Sequence, residues 1–291
     1  MAEQWTIGRI LSWTKQYFTD KGVASPRLDA EVLLSHILKT DRIYLYVHFD
    51  QPLQADELLR FRQAVKERAL RCPVAYITGC KEFMGLSFAV SPAVLIPRPD
   101  TEILVETAQK LLTSRSQPRL ADIGTGSGAI IISLLHLLPD ATGVAVDISA
   151  AALAMARKNA AAHQVTARLE LLQGHMVQPL TGVFDAIISN PPYIPDDVVA
   201  TLEPEVQREP SGALKGGRDG LDFYRCLFQH SAIYLKADGF LALEIGQGQT
   251  DAIVRLATDS AFVVQSIVKD YGGIERVVIL IRKSTIELKQ E

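Results

Sequence analysis

The feature that most constrains this chain is an alternation. From residue 119 onward, short apolar runs at 119–123, 142–147, 168–172, 184–189 and 239–245 are separated by stretches of helical spacing at 127–138, 149–163, 221–236 and 249–258. A run such as Phe184-Asp185-Ala186-Ile187-Ile188-Ser189 reads as a buried parallel strand. Strand and helix in strict succession predict a parallel sheet with right-handed crossovers, an α/β fold. Two late β-rich pieces, 262–269 and 276–282, are joined through Tyr271-Gly272-Gly273 and predict an antiparallel hairpin at the end of the sheet.

The first part of the chain has a different period. Ile7, Ile10, Leu11, Tyr17 and Phe18 fall at helical spacing within 4–20, and Ser25-Pro26 reads as an N-cap and first-turn proline opening a helix with Leu33, Leu34, Ile37 and Leu38. A third helix over 54–71 carries Leu58, Phe61 and Val65 on one face. Between 74 and 97, Gly79, Gly85, Pro92 and Pro97 punctuate β-prone pieces at 86–90 and 94–96, which predicts a hairpin connector, and a helix over 104–112 leads onward. The expected organisation is a small all-helical domain at 1–73, a β-hairpin linker at 74–99 and an α/β domain at 100–284.

Composition narrows the function. The net charge is −3; residues 1–99 carry 13 Lys/Arg against 10 Asp/Glu, and the remainder 17 against 23. Generic nucleic-acid binding needs an excess of exposed cations, which the sheet-forming part lacks. Cys72, Cys80 and Cys226 form no C-x-x-C pair and the six histidines are scattered, so neither a disulfide framework nor a metal site is expected. The start, Met1-Ala2-Glu3-Gln4-Trp5, lacks the layout of a signal peptide, and no stretch is long and apolar enough to cross a bilayer. A reducing cytoplasm is the expected setting.

Four segments carry the chemistry, each at the end of a strand. Asp122-Ile123-Gly124-Thr125-Gly126-Ser127-Gly128-Ala129 links the first strand to its helix; glycines allow a tight turn and close approach of a ligand to the backbone, and the helix N-terminus offers free N–H groups. The same stretch reads as a purely structural turn, or as G-x-G-x-x-A, a dinucleotide fingerprint. Asp147, 19 residues past Gly128, can accept both hydroxyls of a ribose, or cap the helix starting near Ser149. Gly174-His175-Met176 follows the third strand; Met176 can pack on an adenine ring, whereas His175 reads as an ordinary loop residue. Asn190-Pro191-Pro192-Tyr193 stops the fourth strand abruptly. Two prolines fix φ and remove two N–H donors, so a carboxamide and a phenol are held on a stiff corner. Asp185, Asp196 and Asp197 read as solvated or capping residues.

All four lie at one edge of a sheet, where open α/β sheets bind ligands. A nicotinamide dinucleotide needs its pyrophosphate served and a second mononucleotide half, neither of which is evident. S-adenosyl-L-methionine needs a glycine turn, an acid for the ribose and an adenine slot, and methyl transfer depends chiefly on proximity and orientation. The Asn190 carbonyl and the Pro191 backbone carbonyl can each accept one N–H of a planar –NH2 group, and Tyr193 can stack on that group.

At this level of detail the chain resembles the protein-(glutamine-N5) methyltransferases that modify class I peptide chain release factors, the HemK/PrmC group. The motifs are Val94-Leu95-Ile96-Pro97-Arg98-Pro99-Asp100-Thr101-Glu102, Asp122 to Ala129, Ala145-Val146-Asp147-Ile148-Ser149 and Ser189-Asn190-Pro191-Pro192-Tyr193-Ile194-Pro195, then Glu209-Pro210, Gly216 to Asp222, Leu243-Glu244-Ile245-Gly246 and Glu275-Arg276-Val277-Val278. The resemblance implies a helical amino-terminal domain that recognises substrate, a β-hairpin linker and a Rossmann-like, seven-stranded class I methyltransferase domain. It also implies a monomer acting in the cytoplasm on the glutamine of a release factor's Gly-Gly-Gln loop, yielding S-adenosyl-L-homocysteine. By position, Gly124, Thr125, Gly126, Ser127, Gly128, Asp147, Met176 and Asn190 contact the cofactor, and Asn190, Pro191, Pro192 and Tyr193 hold the glutamine amide, with Asn190, Pro191 and Tyr193 as the catalytic set. The resemblance departs at His175 and Met176, where family members usually carry Asp and often an aromatic residue.

Other acceptors present the same planar –NH2. A ribosomal-protein glutamine is the nearer alternative. An adenine-N6 or guanine-N2 nucleic-acid methyltransferase must flip and read a base, which calls for a basic groove and a recognition module. A third reading is a noncatalytic adaptor whose Arg60, Arg62, Lys66, Arg68 and Arg71 dock an acidic partner; the same residues also read as a solvated helix face.

Overall fold

The computed structural model of the protein describes residues 4–283, in two compact units. One is the chain up to Cys80 together with Glu203–Arg208; the other is Lys81–Leu202 together with the chain from Glu209 onward.

The first unit holds α1 (Ile7–Asp20), α2 (Pro26–Leu38), α3 (Arg42–Val47), α4 (Ala55–Ala69) and α5 (Val74–Thr78). The Thr6 hydroxyl accepts from Arg9 N at 3.4 Å and starts α1. Pro26 starts α2 without a side-chain cap from Ser25, its fixed φ and missing N–H suiting a first turn. The periodic apolar positions Ile7, Ile10, Phe18, Leu33, Leu34, Phe61 and Val65 close into one core. Burying each such side chain contributes about 1.5–3 kcal/mol. Residues 74–78, the start of the expected linker, make the single turn α5, which ends on Gly79 in the left-handed region at φ 72. The basic cluster divides. Arg68 is buried and donates to Asp29 and Glu205, both at 2.7 Å, Arg71 donates to the Gly22 carbonyl at 2.6 Å, and Arg60 pairs with Asp56 at 3.0 Å. Arg68 and Arg71 are held by internal carboxylates and a carbonyl, as a buried arginine requires, whereas Arg62 and Lys66 are exposed on α4.

At the boundary, where the second unit begins, stands a hairpin of β1 (Cys80–Phe83) and β2 (Leu86–Ala89), turned on Met84 and Gly85, both at positive φ (51 and 70). The expected strand at 94–96 does not form: Val94 closes a turn, its N–H donating to the Ser91 carbonyl at 3.1 Å, and residues 95–96 are loop. There follow α6 (Pro99–Leu112), β3 (Arg119–Ile123), α7 (Ala129–Leu137), β4 (Thr142–Asp147), α8 (Ala150–Ala162), β5 (Leu169–Gln173), β6 (Phe184–Ser189), α9 (Asp222–His230), β7 (Leu235–Glu244), α10 (Thr250–Thr258), β8 (Phe262–Lys269) and β9 (Glu275–Arg282). The strands order as β5-β4-β3-β6-β7-β9-β8. The first five are parallel, and β9 runs antiparallel between β7 and β8. This is the Rossmann-like seven-stranded sheet.

Side chains alternate across the sheet with period two. Leu120, Ala186, Ile188, Phe240, Ala242 and Ile279 pack on one face; Ala121, Ile123, Ile187, Leu241, Leu243 and Leu280 pack on the other. Helices cover both faces, which is why the strands read as unbroken apolar runs. One charge interrupts β6. Asp185 is buried, not solvated: it accepts from Arg119 N (2.8 Å), Lys236 (2.8 Å) and Arg115 (3.1 Å). Burial raises its pKa, but the Lys236 ammonium, the Arg119 N–H and the Arg115 guanidinium outweigh it and hold the carboxyl below its ordinary value. The helix expected at 221–236 stops at His230. A short 3₁₀ turn, Ala232–Tyr234, follows, and β7 already begins at Leu235 beside Phe184.

Candidate active site

β3 leads to β4 on one side and β6 leads to β7 on the other, so winding reverses between β3 and β6 and leaves a crevice at their carboxyl ends. A cavity of about 390 Å³ opens there, within the range of small-ligand sites. Its floor comprises Gly124 and Gly126 after β3, Asp147 to Ser149 after β4, Gly174 to Met176 after β5 and Ser189 to Pro192 after β6. Val94 and Leu95 form one wall, and Pro210, Gly212, Ala213 and Phe223 complete it. Four sequence segments expected to converge do converge.

The glycine turn is pinned from below. Gly124 N and Thr125 N both donate to the Val146 carbonyl (2.9 and 3.0 Å), and Ser189 Oγ donates to the Ile123 carbonyl at 2.7 Å, locking β3 to β4 and β6. Gly124 and Gly126 have positive φ (75 and 56), and a Cβ on either would meet no protein atom. The empty volume beside them belongs to the cavity. Gly128 differs: a Cβ there would lie 2.6 Å from Ile132 Cδ1 and 3.3 Å from Ala156 Cβ, so its role is helix packing. Thr125 and Ser127 also lie behind the cavity wall. The Thr125 hydroxyl donates to Asp122 Oδ2 at 2.7 Å, and the Ser127 carbonyl accepts from Asn159 at 2.8 Å. Burial, and secondarily the charge of Asp147, push the Asp122 carboxyl up to about 7, against the Thr125 bond that lowers it. Asp122 Oδ1 has no protein partner.

Asp147 accepts Gly126 N on Oδ2 and Ser149 N on Oδ1, each at 2.9 Å. A carboxylate has roughly four acceptor directions, so two remain for a ligand diol. Ser149 itself caps α8 through Ala152 N at 3.2 Å, which frees Asp147 from that duty. Met176 adopts a left-handed backbone (φ 52) that costs about 1 kcal/mol. Its buried side chain both joins the core and lines the cavity. His175, read as ordinary loop, lies on the cavity wall.

At the acceptor end, Asn190 Nδ2 donates to the Thr101 hydroxyl at 3.0 Å. Thr101 in turn faces the buried Glu244 carboxyl. Burial raises that carboxyl to about 7 against the lowering effects of Thr101, Arg276 and Tyr193. Tyr193 does not line the cavity. Its hydroxyl points at Glu244 Oε1, 3.5 Å away, and its ring packs where a Cβ on Gly246 would come within 3.0 Å. Burial first, then the Glu244 charge, push its phenol up to about 12. The half-buried ring packs beside the corner, against Gly246. Gly216 makes the same corner possible, since a Cβ there would sit 2.8 Å from the Pro192 carbonyl. The wall at Val94 and Leu95 is fixed by Glu209, which accepts Ile96 N at 2.9 Å and pairs with Arg98.

Thr101, Glu244 and Glu209 were given no role by the sequence reading. Each sits inside a quoted motif, but its partner lies 89 to 143 residues away, beyond any local pattern.

Residues 9–79 match the PrmC N-terminal domain family, and residues 99–205 match the methyltransferase small domain family. A release factor glutamine methyltransferase of Geobacter sulfurreducens is 45% identical over 278 residues, covering 95% of this chain and 96% of its own. One of Moorella thermoacetica is 45% identical over 264 residues, covering 90% and 93%. The chain belongs to the release factor glutamine methyltransferase family. A methyltransferase structure from Pyrococcus furiosus, 18% identical with a TM-score of 0.51, covers 79% of this chain and 99% of its own and has the same fold.

Proposed function

We propose that this chain transfers a methyl group from S-adenosyl-L-methionine to the side-chain amide nitrogen of the glutamine in the Gly-Gly-Gln motif of class I peptide chain release factors. The observation that carries the reading is the placement of Asn190, on its Pro-Pro corner, in the same cavity as Gly124, Gly126 and Asp147. The open space over the two glycines and the spare acceptor directions of Asp147 fit the donor's aminoacyl, ribose and base parts, with Met176 as an apolar wall. When bound, the sulfonium supplies an activated methyl.

The chain's own residues then solve the harder problem, a nitrogen lone pair delocalised into an amide. Asn190 Nδ2 is occupied by Thr101, which leaves Oδ1 to accept one N–H of the acceptor. The Pro191 backbone carbonyl accepts the other. Two acceptors in the amide plane turn the lone pair toward the methyl and stabilise positive charge growing on nitrogen. Pro191 and Pro192 keep both acceptors at fixed spacing. A neutral carboxamide suits a neutral amide, since a carboxylate there would bind the free cationic donor instead. The proton lost from the alkylated nitrogen needs no strong base.

The substrate is a protein, and we assign its recognition to the helical unit, matched to the PrmC N-terminal domain. We assign the enzyme to the cytoplasm as a monomer; among the described residues no helix is long and apolar enough to cross a membrane. The test is incubation of the chain with methyl-labelled donor and a purified release factor, followed by fragment mass mapping. Label on the Gly-Gly-Gln glutamine is expected. Label elsewhere, or none, overturns the reading.

A further inference from the structure

The hydrogen-bond chain behind the acceptor wall has a direction. Asn190 Nδ2 donates to Thr101 Oγ1 at 3.0 Å, and a hydroxyl owns a single proton. With that proton on the Glu244 carboxylate, Thr101 offers only lone pairs to Asn190. The carboxamide then turns its –NH2 inward and its oxygen outward. A protonated Glu244 reverses the order: the acid donates to Thr101, the threonine proton points at Asn190, and Oδ1 is the group that fits inward. The –NH2 then faces an acceptor –NH2, donor against donor.

We propose that Glu244 is a positioning residue of the acceptor site, whose carboxylate, acting through Thr101, holds the Asn190 carboxamide oxygen toward the substrate amide. The inference rests on the reading of Asn190 as the acceptor clamp. The surroundings of Glu244 fit a switchable group. α6 presents Asp100 and Thr101, β9 presents Arg276, and the Tyr193 hydroxyl lies 3.5 Å from Oε1. From α9 the Tyr224 hydroxyl donates to the Glu244 backbone carbonyl at 2.9 Å, anchoring the strand end. Oε2 has no protein partner. Burial raises the carboxyl and Asp100 adds to this, while Thr101, Arg276 and Tyr193 oppose it, leaving the group at about 7. The ionised, competent form therefore prevails above neutrality and is lost below it.

The experiment measures kcat and both KM values from about pH 5.5 to 8.5, at saturating donor and release factor, for wild type, Glu244→Gln, Thr101→Val and Thr101→Ser. Wild-type kcat is expected to fall about tenfold per pH unit on the acid side, with the release-factor KM nearly constant. Glu244→Gln, whose amide both donates and accepts, is expected to lose that acid limb and run several-fold slower at high pH. Thr101→Ser keeps rate and limb; Thr101→Val loses about tenfold or more in kcat with donor affinity intact. Saturating donor keeps any change in donor affinity out of kcat. An acid limb that survives in Glu244→Gln, a flat wild-type profile, or a Thr101→Val enzyme at wild-type kcat each overturns the proposal. If Glu244→Gln does not fold, the near-isosteric Thr101→Val decides alone. Asn190→Ala at wild-type kcat removes the underlying reading. An inactive Asn190→Ala beside a Glu244→Gln that keeps the acid limb removes only this inference.

Discussion

Replacing Asp147 by Ala tests the donor half of the site. The carboxylate has two structural bonds, to Gly126 N and Ser149 N at 2.9 Å, and two directions left for the donor's vicinal hydroxyls. A hydrogen bond to a charged group contributes about 1.5–3 kcal/mol, so losing two removes on the order of 3–6 kcal/mol of binding. That corresponds to about a 100-fold weakening at the lower bound and about 10⁴-fold at the upper. Release of Gly126 N loosens the turn and pushes the same way. Asp147→Asn has a single oxygen for two backbone donors and belongs in between, at roughly tenfold. Calorimetric titration with S-adenosyl-L-homocysteine, the stable product, reads the dissociation constants directly. Circular dichroism confirms that each variant is folded, because neither backbone bond belongs to the core. An Asp147→Ala constant within about threefold of wild type would refute the ribose assignment.

Stability is expected to fall as pH rises. Asp122 and Glu244 ordinarily titrate at 3.8 and 4.5 but at about 7 in the folded chain, so the native state holds both protons more tightly. The resulting stabilisation is complete below the unfolded values and is lost as pH rises through about 7, on the order of 3 kcal/mol for each group. Denaturant titrations at several pH values should show this slope, reduced to roughly half in Asp122→Asn; an undiminished slope in that variant would contradict the origin given. Gly128→Ala meets both a positive φ of 81 and Ile132 Cδ1 at 2.6 Å, and should destabilise by about 2 kcal/mol. Gly126→Ala meets open space and should cost only about 1 kcal/mol in stability while weakening donor binding more than Gly128→Ala does. Equal effects of the two on donor affinity would count against the cavity's placement. Asp185→Ala strands Arg119 N–H, Arg115 and Lys236 and should destabilise by about 3 kcal/mol, with methyl transfer by the folded fraction unchanged.

The sheet was legible because its strands are covered on both faces: Phe184 to Ser189 is buried throughout, and an unbroken apolar run of that length has few other uses. The convergence of Gly126, Asp147, Met176 and Asn190 was legible for the same reason, since parallel strands put successive carboxyl ends on one edge. What escaped was set by distant partners. Val94–Ile96 has a strand-like composition, but its backbone is claimed by Glu209 rather than by a neighbouring strand. Residues 231–236 continue the apolar spacing of α9, yet pairing of Leu235 with Phe184 draws them into β7. Asp185 reads as a surface acid until Arg115 and Lys236 close over it. Tyr193 reads as a ring free to stack, yet its side chain packs on Gly246 with its hydroxyl toward Glu244.

The central claim is that the Asn190 carboxamide orients another carboxamide beside the donor methyl. Single-turnover transfer to a release factor by Asn190→Ala, with donor affinity measured in parallel, tests it most directly. Loss of one preorganised acceptor in a water-poor site is expected to slow transfer about 10²- to 10³-fold while donor affinity shifts by less than about tenfold. Transfer by Asn190→Ala at close to the wild-type rate would contradict the account.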